Sequence, residues 1–228
     1  MKQLRLKFKE LGYDETKISK EEGYFYDWLL ELKEAGYIYA IEMQPQYDLT
    51  DSVFMEFDKV ITKVHKKTKV KTVSIKPTQY SIMKGMHYTP DFNVLWHEKA
   101  LDKFAIIGGS KLTANFNETR RRMFLGERLL IDDTEDGIPV STIFTCIEIK
   151  GTFASRQNST AVKFPLLQKL TYLLHKIYVN KCMPFEKTKG LFANTFTPKS
   201  YWLTEKTLKE RALGWTRLSS EQYLDLLN

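Results

Sequence analysis

Two ionisable side chains interrupt an apolar stretch in the second half of the chain. The stretch runs from Thr142 to Ile149 and ends in Cys146-Ile147-Glu148-Ile149-Lys150-Gly151. Side chains alternate across a strand, so Glu148 and Lys150 share one face while Ile147 and Ile149 share the other. A carboxylate and an ammonium on a buried strand are costly unless they pair or bind something. A hard cation held by carboxylate oxygen would account for the acid. A lysine beside it could orient or deprotonate water, or steady the charge of a phosphorane-like transition state. The competing reading is a strand end in water, with both groups solvated.

A second feature, Tyr88-Thr89-Pro90-Asp91-Phe92, reads as a strand entry, because proline holds the residue before it extended. Alone, an aspartate after proline is more often a turn residue. Together with Glu148-Ile149-Lys150, it gives two carboxylates and one lysine on neighbouring strands. That is the minimum set for binding Mg²⁺ and attacking a phosphodiester in line. His65, His87, His97 and His175 have no metal-ligand spacing, and there is no glycine-rich phosphate loop, nucleophile elbow or zinc-protease motif.

The elements that must position these residues are legible in outline. Ser19 and Glu22 form a capping box for a helix over Lys20 to Ala35, closed by Gly36. Tyr24, Phe25, Trp28, Leu29 and Leu32 recur at helical spacing and should face the core. Tyr37 to Leu49 reads as a strand broken at Pro45. Asp58 to Ser81 reads as a basic hairpin with its turn near His65 to Thr68. Its lysines, Lys66 and Lys67 among them, could follow a phosphate backbone or simply keep a solvated edge from pairing. Phe92 to Trp96 is a strand. Lys103 to Val140 is an insertion carrying Arg120, Arg121 and Arg122, helical around Glu118 to Leu130. Ser141 to Lys150 is a buried strand. Ala161 to Asn180 is a helix, in which Pro165 is tolerable only near the first turn. Its apolar stripe is Leu166, Leu170, Leu173, Leu174 and Ile177, with Gln168 and Tyr172 opposite. Leu191 to Leu203 suggests a late strand and turn, and Thr204 to Ala212 and Ser219 to Leu227 suggest terminal helices. Helices and strands in this order predict an α/β layer around a mixed sheet, as one domain over residues 1–228.

Composition fits that frame. The chain has 228 residues, 43% hydrophobic and 13% aromatic, enough for a core without staples. A net charge of +7 suits a polyanionic partner. Two cysteines, Cys146 and Cys182, make neither a disulfide framework nor a zinc site, so a reducing, cytoplasmic setting is expected. The N-terminus has no signal-peptide pattern, and no run approaches the roughly 20 apolar residues of a membrane span.

With these residues in view, the chain resembles the PD-(D/E)XK nuclease superfamily. Pro90-Asp91 matches the first half of its signature and Glu148-Ile149-Lys150 the second. Glu22, Tyr26, Leu29, Leu32, Ala35-Gly36, Glu42 and Gln44-Pro45 extend the likeness towards small phage-type, junction-resolving endonucleases. It covers roughly Ser19 to Lys181, leaving a C-terminal extension over about 182–228. The resemblance implies a restriction-endonuclease-like core with a mixed central sheet flanked by helices. It implies Mg²⁺, or Mn²⁺, on Asp91, Glu148 and the Ile149 carbonyl, with Lys150 as catalytic lysine. Glu22, preferred to Glu21, completes the acidic site. DNA is the implied substrate, Holliday-junction-like structure a plausible target, and a homodimer the implied assembly. Gln168 and Tyr172 match a motif of RecB-like exonucleases, which keeps that activity as an alternative. Those two residues, with Lys163, Arg120 to Arg122, Lys66 and Lys67, are the candidate nucleic-acid contacts. A non-catalytic nucleic-acid-binding module is the alternative of a different class.

Overall fold

A computed structural model describes residues 9–10, 18–104, 106–108, 124–131, 140–151, 158–185, 190–202 and 218–227. In chain order its principal elements begin with α1 (Lys20–Glu34), β1 (Ile38–Met43), β2 (Tyr47–Thr50), β3 (Val53–Val64), β4 (Lys71–Met83) and β5 (Met86–Tyr88). Then come β6 (Phe92–His97), α2 (Ala100–Phe104), β7 (Ile107–Gly108), β8 (Leu125–Ile131) and β9 (Val140–Ile149). The last are α3 (Asn158–His175), β10 (Val179–Cys182), α4 (Leu191–Asn194), α5 (Lys199–Trp202) and α6 (Ser220–Asp225). The chain divides into two compact units, Gln46–Tyr88 and all the rest. No helix among the described residues is long and apolar enough to cross a membrane.

In the larger unit, α1 begins as its sequence requires. The Ser19 hydroxyl accepts from the Glu22 N–H at 3.2 Å, and Glu22 returns the bond to the Ser19 N–H at 3.3 Å. This capping box satisfies two otherwise orphaned donors. Gly36, at φ +74°, turns the chain out of the helix. Phe25, Trp28, Leu29 and Leu32 are completely buried, so the apolar stripe of α1 is its core face.

That face covers a mixed sheet centred on β9. One edge of β9 pairs antiparallel with β6, from Thr142 to Ile147, and β6 pairs antiparallel with β1. The other edge is shared end to end. β8 runs antiparallel along Val140 to Phe144, and β10 runs parallel along Cys146 to Ile149. Asn180 closes the break between these two partial neighbours. Its Oδ1 accepts from Leu125 N–H at 2.7 Å, and its Nδ2 donates to the carbonyls of Leu125 at 2.8 Å and Cys146 at 3.0 Å. Gly126 lets β8 approach, because a Cβ there would stand 2.6 Å from the Phe144 carbonyl oxygen.

Several sequence expectations are corrected. Leu125–Ile131 is a strand within the insertion, not the end of a helix, because its close pairing with β9 outweighs local propensity. The helix expected over Ala161 to Asn180 starts earlier and ends at His175, where Lys176 takes φ +61°. Val179–Cys182 then joins the sheet. Pro165 consequently lies inside the helix rather than in its first turn. The leucine stripe of α3 does not meet the core, and Leu166, Leu173 and Leu174 are 56%, 63% and 54% exposed. The helix instead buries Phe164 and Thr171, with Gln168 donating to the Val179 carbonyl at 2.6 Å. Leu191 to Trp202 forms short helical turns, not a strand. Phe196 stacks on Trp28 at 5.5 Å and Tyr201 meets Tyr24 edge-on at 5.1 Å, so the C-terminal extension completes the core over α1. Glu31 of α1 accepts from the Lys199 N–H at 2.6 Å and ties that extension down. The helix expected over Thr204 to Ala212 lies outside the described residues. The one over Ser219 to Leu227 is α6, capped by Ser219 and Gln222.

The smaller unit is a long antiparallel ribbon of β3 and β4, flanked by the short β2–β5 pair. The ribbon exceeds the expected Asp58 to Ser81. Its turn closes with His65 N–H on the Val70 carbonyl and Lys69 at φ +57°.

Asn180→Ala should lower unfolding free energy by about 2–4 kcal/mol, since it orphans backbone groups of two strands. Gly126→Ala should cost about 1–3 kcal/mol by forcing β8 from β9. Urea unfolding midpoints with unchanged slopes would register both losses.

Candidate active site

The β6–β9 register brings the chemistry together. Phe92 pairs with Ile147, so one step back along β6 sets Asp91 across from Glu148 on the same face. The Asp91 Oδ2 accepts a 2.5 Å hydrogen bond from the Ile149 N–H. The carboxylate thus holds the place that a backbone carbonyl would hold if β6 began earlier. Its own carbonyl accepts from the Gln44 N–H at 2.9 Å, just after β1, where Gln44 takes φ +51°. Asp91 is therefore fixed from both neighbouring strands.

Glu148 and Lys150 share the opposite face from Ile147 and Ile149, as alternation requires. Lys150 Nζ donates to Glu148 Oε1, and their side chains are only 20% and 10% exposed. The solvated strand end considered above is thereby ruled out. Lys150 is also pinned through its backbone N–H, which donates to the Cys182 carbonyl at 2.8 Å. In a strand, a residue's N–H and C=O leave by the same edge, so the Ile149 carbonyl lies on the Asp91 side.

The first turn of α1 meets the end of β9. A Cβ at Gly151 would stand 3.3 Å from Glu21 Oε1, so glycine makes room for this helix end. Of the two acids in this turn, Glu22 is the one whose charge is felt at Asp91, and Glu148 and Lys150 are felt at Glu22. Glu21 instead lies against Gly151.

Burial pushes the Asp91 carboxyl well above the ordinary carboxylate range, and the charges of Glu148 and Glu22 push it the same way. The Ile149 N–H and the Lys150 ammonium oppose this without cancelling it. Glu22 is also raised, chiefly by burial and partly by Glu148, against its bonds from Ser19. Burial and the nearby Asp91 charge push the Cys182 thiol far up, so it is a neutral neighbour of the site. Asp91 and Glu148 thus lie across from one another beside one ammonium, with the Glu22 charge felt at both, a surplus of acid that a divalent cation would offset. Among the described residues, no three His, Cys, Asp or Glu side chains form a ready-made metal cage. The oxygen donors that fit a hard cation are Asp91, Glu148 and the Ile149 carbonyl, with Glu22 nearby.

Gln168 is spent on the Val179 carbonyl, Tyr172 is 47% exposed, and Lys163 is exposed on α3. Lys66 and Lys67 are exposed in the ribbon turn of the other unit. Arg120, Arg121 and Arg122 lie outside the described residues. Sequence reasoning missed Asn93, buried on the Asp91 face, which donates to Glu42 Oε2 at 2.8 Å. Its signal was a polar residue two positions from Asp91, in a strand otherwise apolar as far as Trp96.

A carboxyl whose folded pKa is raised stabilises the fold fully below its unfolded value, about 4 for aspartate. That stability is lost as pH rises through the raised value. The metal-free protein should therefore melt at progressively lower temperature from about pH 4 towards neutrality. Asp91→Asn should flatten this slope, and Mg²⁺ should restore wild-type thermal stability at neutral pH. Melting curves against pH, with and without Mg²⁺, would check both. No protein-family model, no curated protein and no solved structure matches this chain.

Proposed function

We propose that this protein is a divalent-metal-dependent DNA endonuclease of the PD-(D/E)XK type, with a preference for branched structures like that of Holliday-junction resolvases. The observation that carries this reading is the convergence of Asp91, Glu148 and Lys150, fixed by the Asp91–Ile149 hydrogen bond and the Lys150–Glu148 pair. The element order supports a restriction-endonuclease-like core. The helix bearing Glu22 is followed by β1, β6 and β9 in antiparallel sequence, then α3 and β10.

In this reading Asp91, Glu148 and the Ile149 carbonyl hold Mg²⁺ or Mn²⁺. The ion would supply positive charge against the attacked phosphate and polarise it. Lys150 orients the attacking water and stabilises charge developing on the non-bridging phosphate oxygens. Glu148 holds the ammonium in place through the bond already formed. Glu22, its carboxyl raised by burial, completes the acidic pocket. Water oxygen replaces one bridging oxygen at phosphorus, and the departing oxygen takes up a proton.

The RecB-like exonuclease reading loses support, because Gln168 is engaged by the sheet rather than presented to a ligand. A homodimer remains part of the proposal through the resemblance to junction-resolving enzymes.

Glu148→Gln and Lys150→Ala should each reduce Mg²⁺-dependent cleavage of a four-way junction by about 100-fold or more while leaving binding in EDTA intact. Cleavage undiminished in both variants would refute the assignment. Degradation confined to free ends would refute the endonuclease.

A further inference from the structure

The β3–β4 ribbon sorts its side chains between two faces in a way that lysine content alone does not reveal. Alternation and register place Val60, Thr62 and Val64 on one face with Ile75, Val73 and, next to the turn, Lys71 across from them. The opposite face carries Met55, Phe57, Lys59, Ile61 and Lys63, across from Tyr80, Thr78, Lys76, Ser74 and Thr72. The unit holds eight lysines and four acids, and the two acids of the ribbon, Glu56 and Asp58, lie on the valine face. The second face thus has no acidic side chain. Lys59 and Lys76 are direct cross-strand partners, an unfavourable juxtaposition of like charges unless an anion lies against them. Towards the base of the same face, Phe57 is 41% and Tyr80 62% exposed.

We propose that this lysine–aromatic face of the ribbon is a second nucleic-acid contact, which grips the phosphate backbone with Lys59, Lys63 and Lys76 and stacks unpaired bases on Phe57 and Tyr80. It rests on the nuclease reading above and extends its substrates from fully paired four-way junctions to DNA in which a duplex adjoins unpaired bases. Charge complementarity selects the partner, since an acid-free lysine row suits a chain of regularly spaced phosphates. The aromatics select its form, because bases locked in a duplex cannot stack on a side chain whereas unpaired ones can. The valine face, bearing both ribbon acids, is excluded from the contact. Lys66 and Lys67 in the turn lie beyond the ordered row and add charge only.

The test is equilibrium binding of the full-length protein to fluorescent gapped and blunt duplex DNA, in EDTA, over a range of salt. The combined Lys59→Gln, Lys63→Gln and Lys76→Gln variant should bind gapped DNA about tenfold or more weakly. Its log-affinity against log-salt slope should be shallower by about 2–3. Tyr80→Ala should weaken gapped DNA several-fold and spare blunt duplex. A Val60→Thr, Val73→Thr and Ile75→Thr variant changes as many ribbon positions on the other face and should bind like wild type. An unchanged salt slope in the lysine variant, or equal losses in the lysine and valine variants, would overturn the contact. Equal loss on gapped and blunt DNA in Tyr80→Ala would overturn the stacking. Because EDTA binding needs no metal, these outcomes are independent of whether Glu148→Gln abolishes cleavage.

Discussion

A slip of one residue between β6 and β9 would turn Asp91 to the far face of the sheet and leave Glu148 and Lys150 without their second acid. Everything chemical in the larger unit depends on that register. It is held by the cross-strand ladder from Phe92–Ile147 to His97–Thr142 and locked at the functional end by the Asp91 carboxylate on Ile149. The same hydrogen bond therefore sets strand alignment and aims a half-buried acid. Buried strand faces reinforce it, since slippage would drive Phe92, Val94 and Trp96 out of the core.

Holding three acids near one ammonium opposes folding, and the surrounding structure offsets this. The α1 helix is anchored by its capping box at the site end and by an aromatic cluster along its length. Phe25, Trp28, Phe92, Phe196 and Tyr201 bring residues from opposite ends of the chain into one core. The C-terminal extension thus packs on the helix that carries Glu22. Asn180 plays the corresponding part on the other side of β9, joining two strands that each cover only half of its edge. A rigid scaffold is what a site with raised acids needs, because the acids would otherwise move apart into water.

The smaller unit obeys different rules. Its ribbon buries little, and an isolated two-stranded hairpin is only marginally stable in water. Lysines along one face discourage edge pairing and at the same time create a row of positive charge.

Much of the site was legible because its signals are local. Alternation placed Glu148 and Lys150 on one face, Ser19 and Glu22 declared the start of α1, and Pro90 marked the entry of the strand that carries Asp91. The helix core of Phe25, Trp28, Leu29 and Leu32 followed from spacing alone. Other features depend on partners distant in sequence. The leucines of α3 have flawless helical spacing yet face outward, because periodicity identifies an apolar face and not what will cover it. Leu125–Ile131 became a strand because Gly126 allows β9 to approach, and Lys176 ended α3 because the next residues had an edge of β9 to join. The raised carboxyls of Asp91 and Glu22 were likewise unreadable, since burial and neighbouring charge belong to the assembled fold. The sequence by itself determined which groups could do chemistry and which local elements carry them. Only the tertiary structure decided that they meet, because strand register and desolvation are set by contacts between residues far apart in the chain.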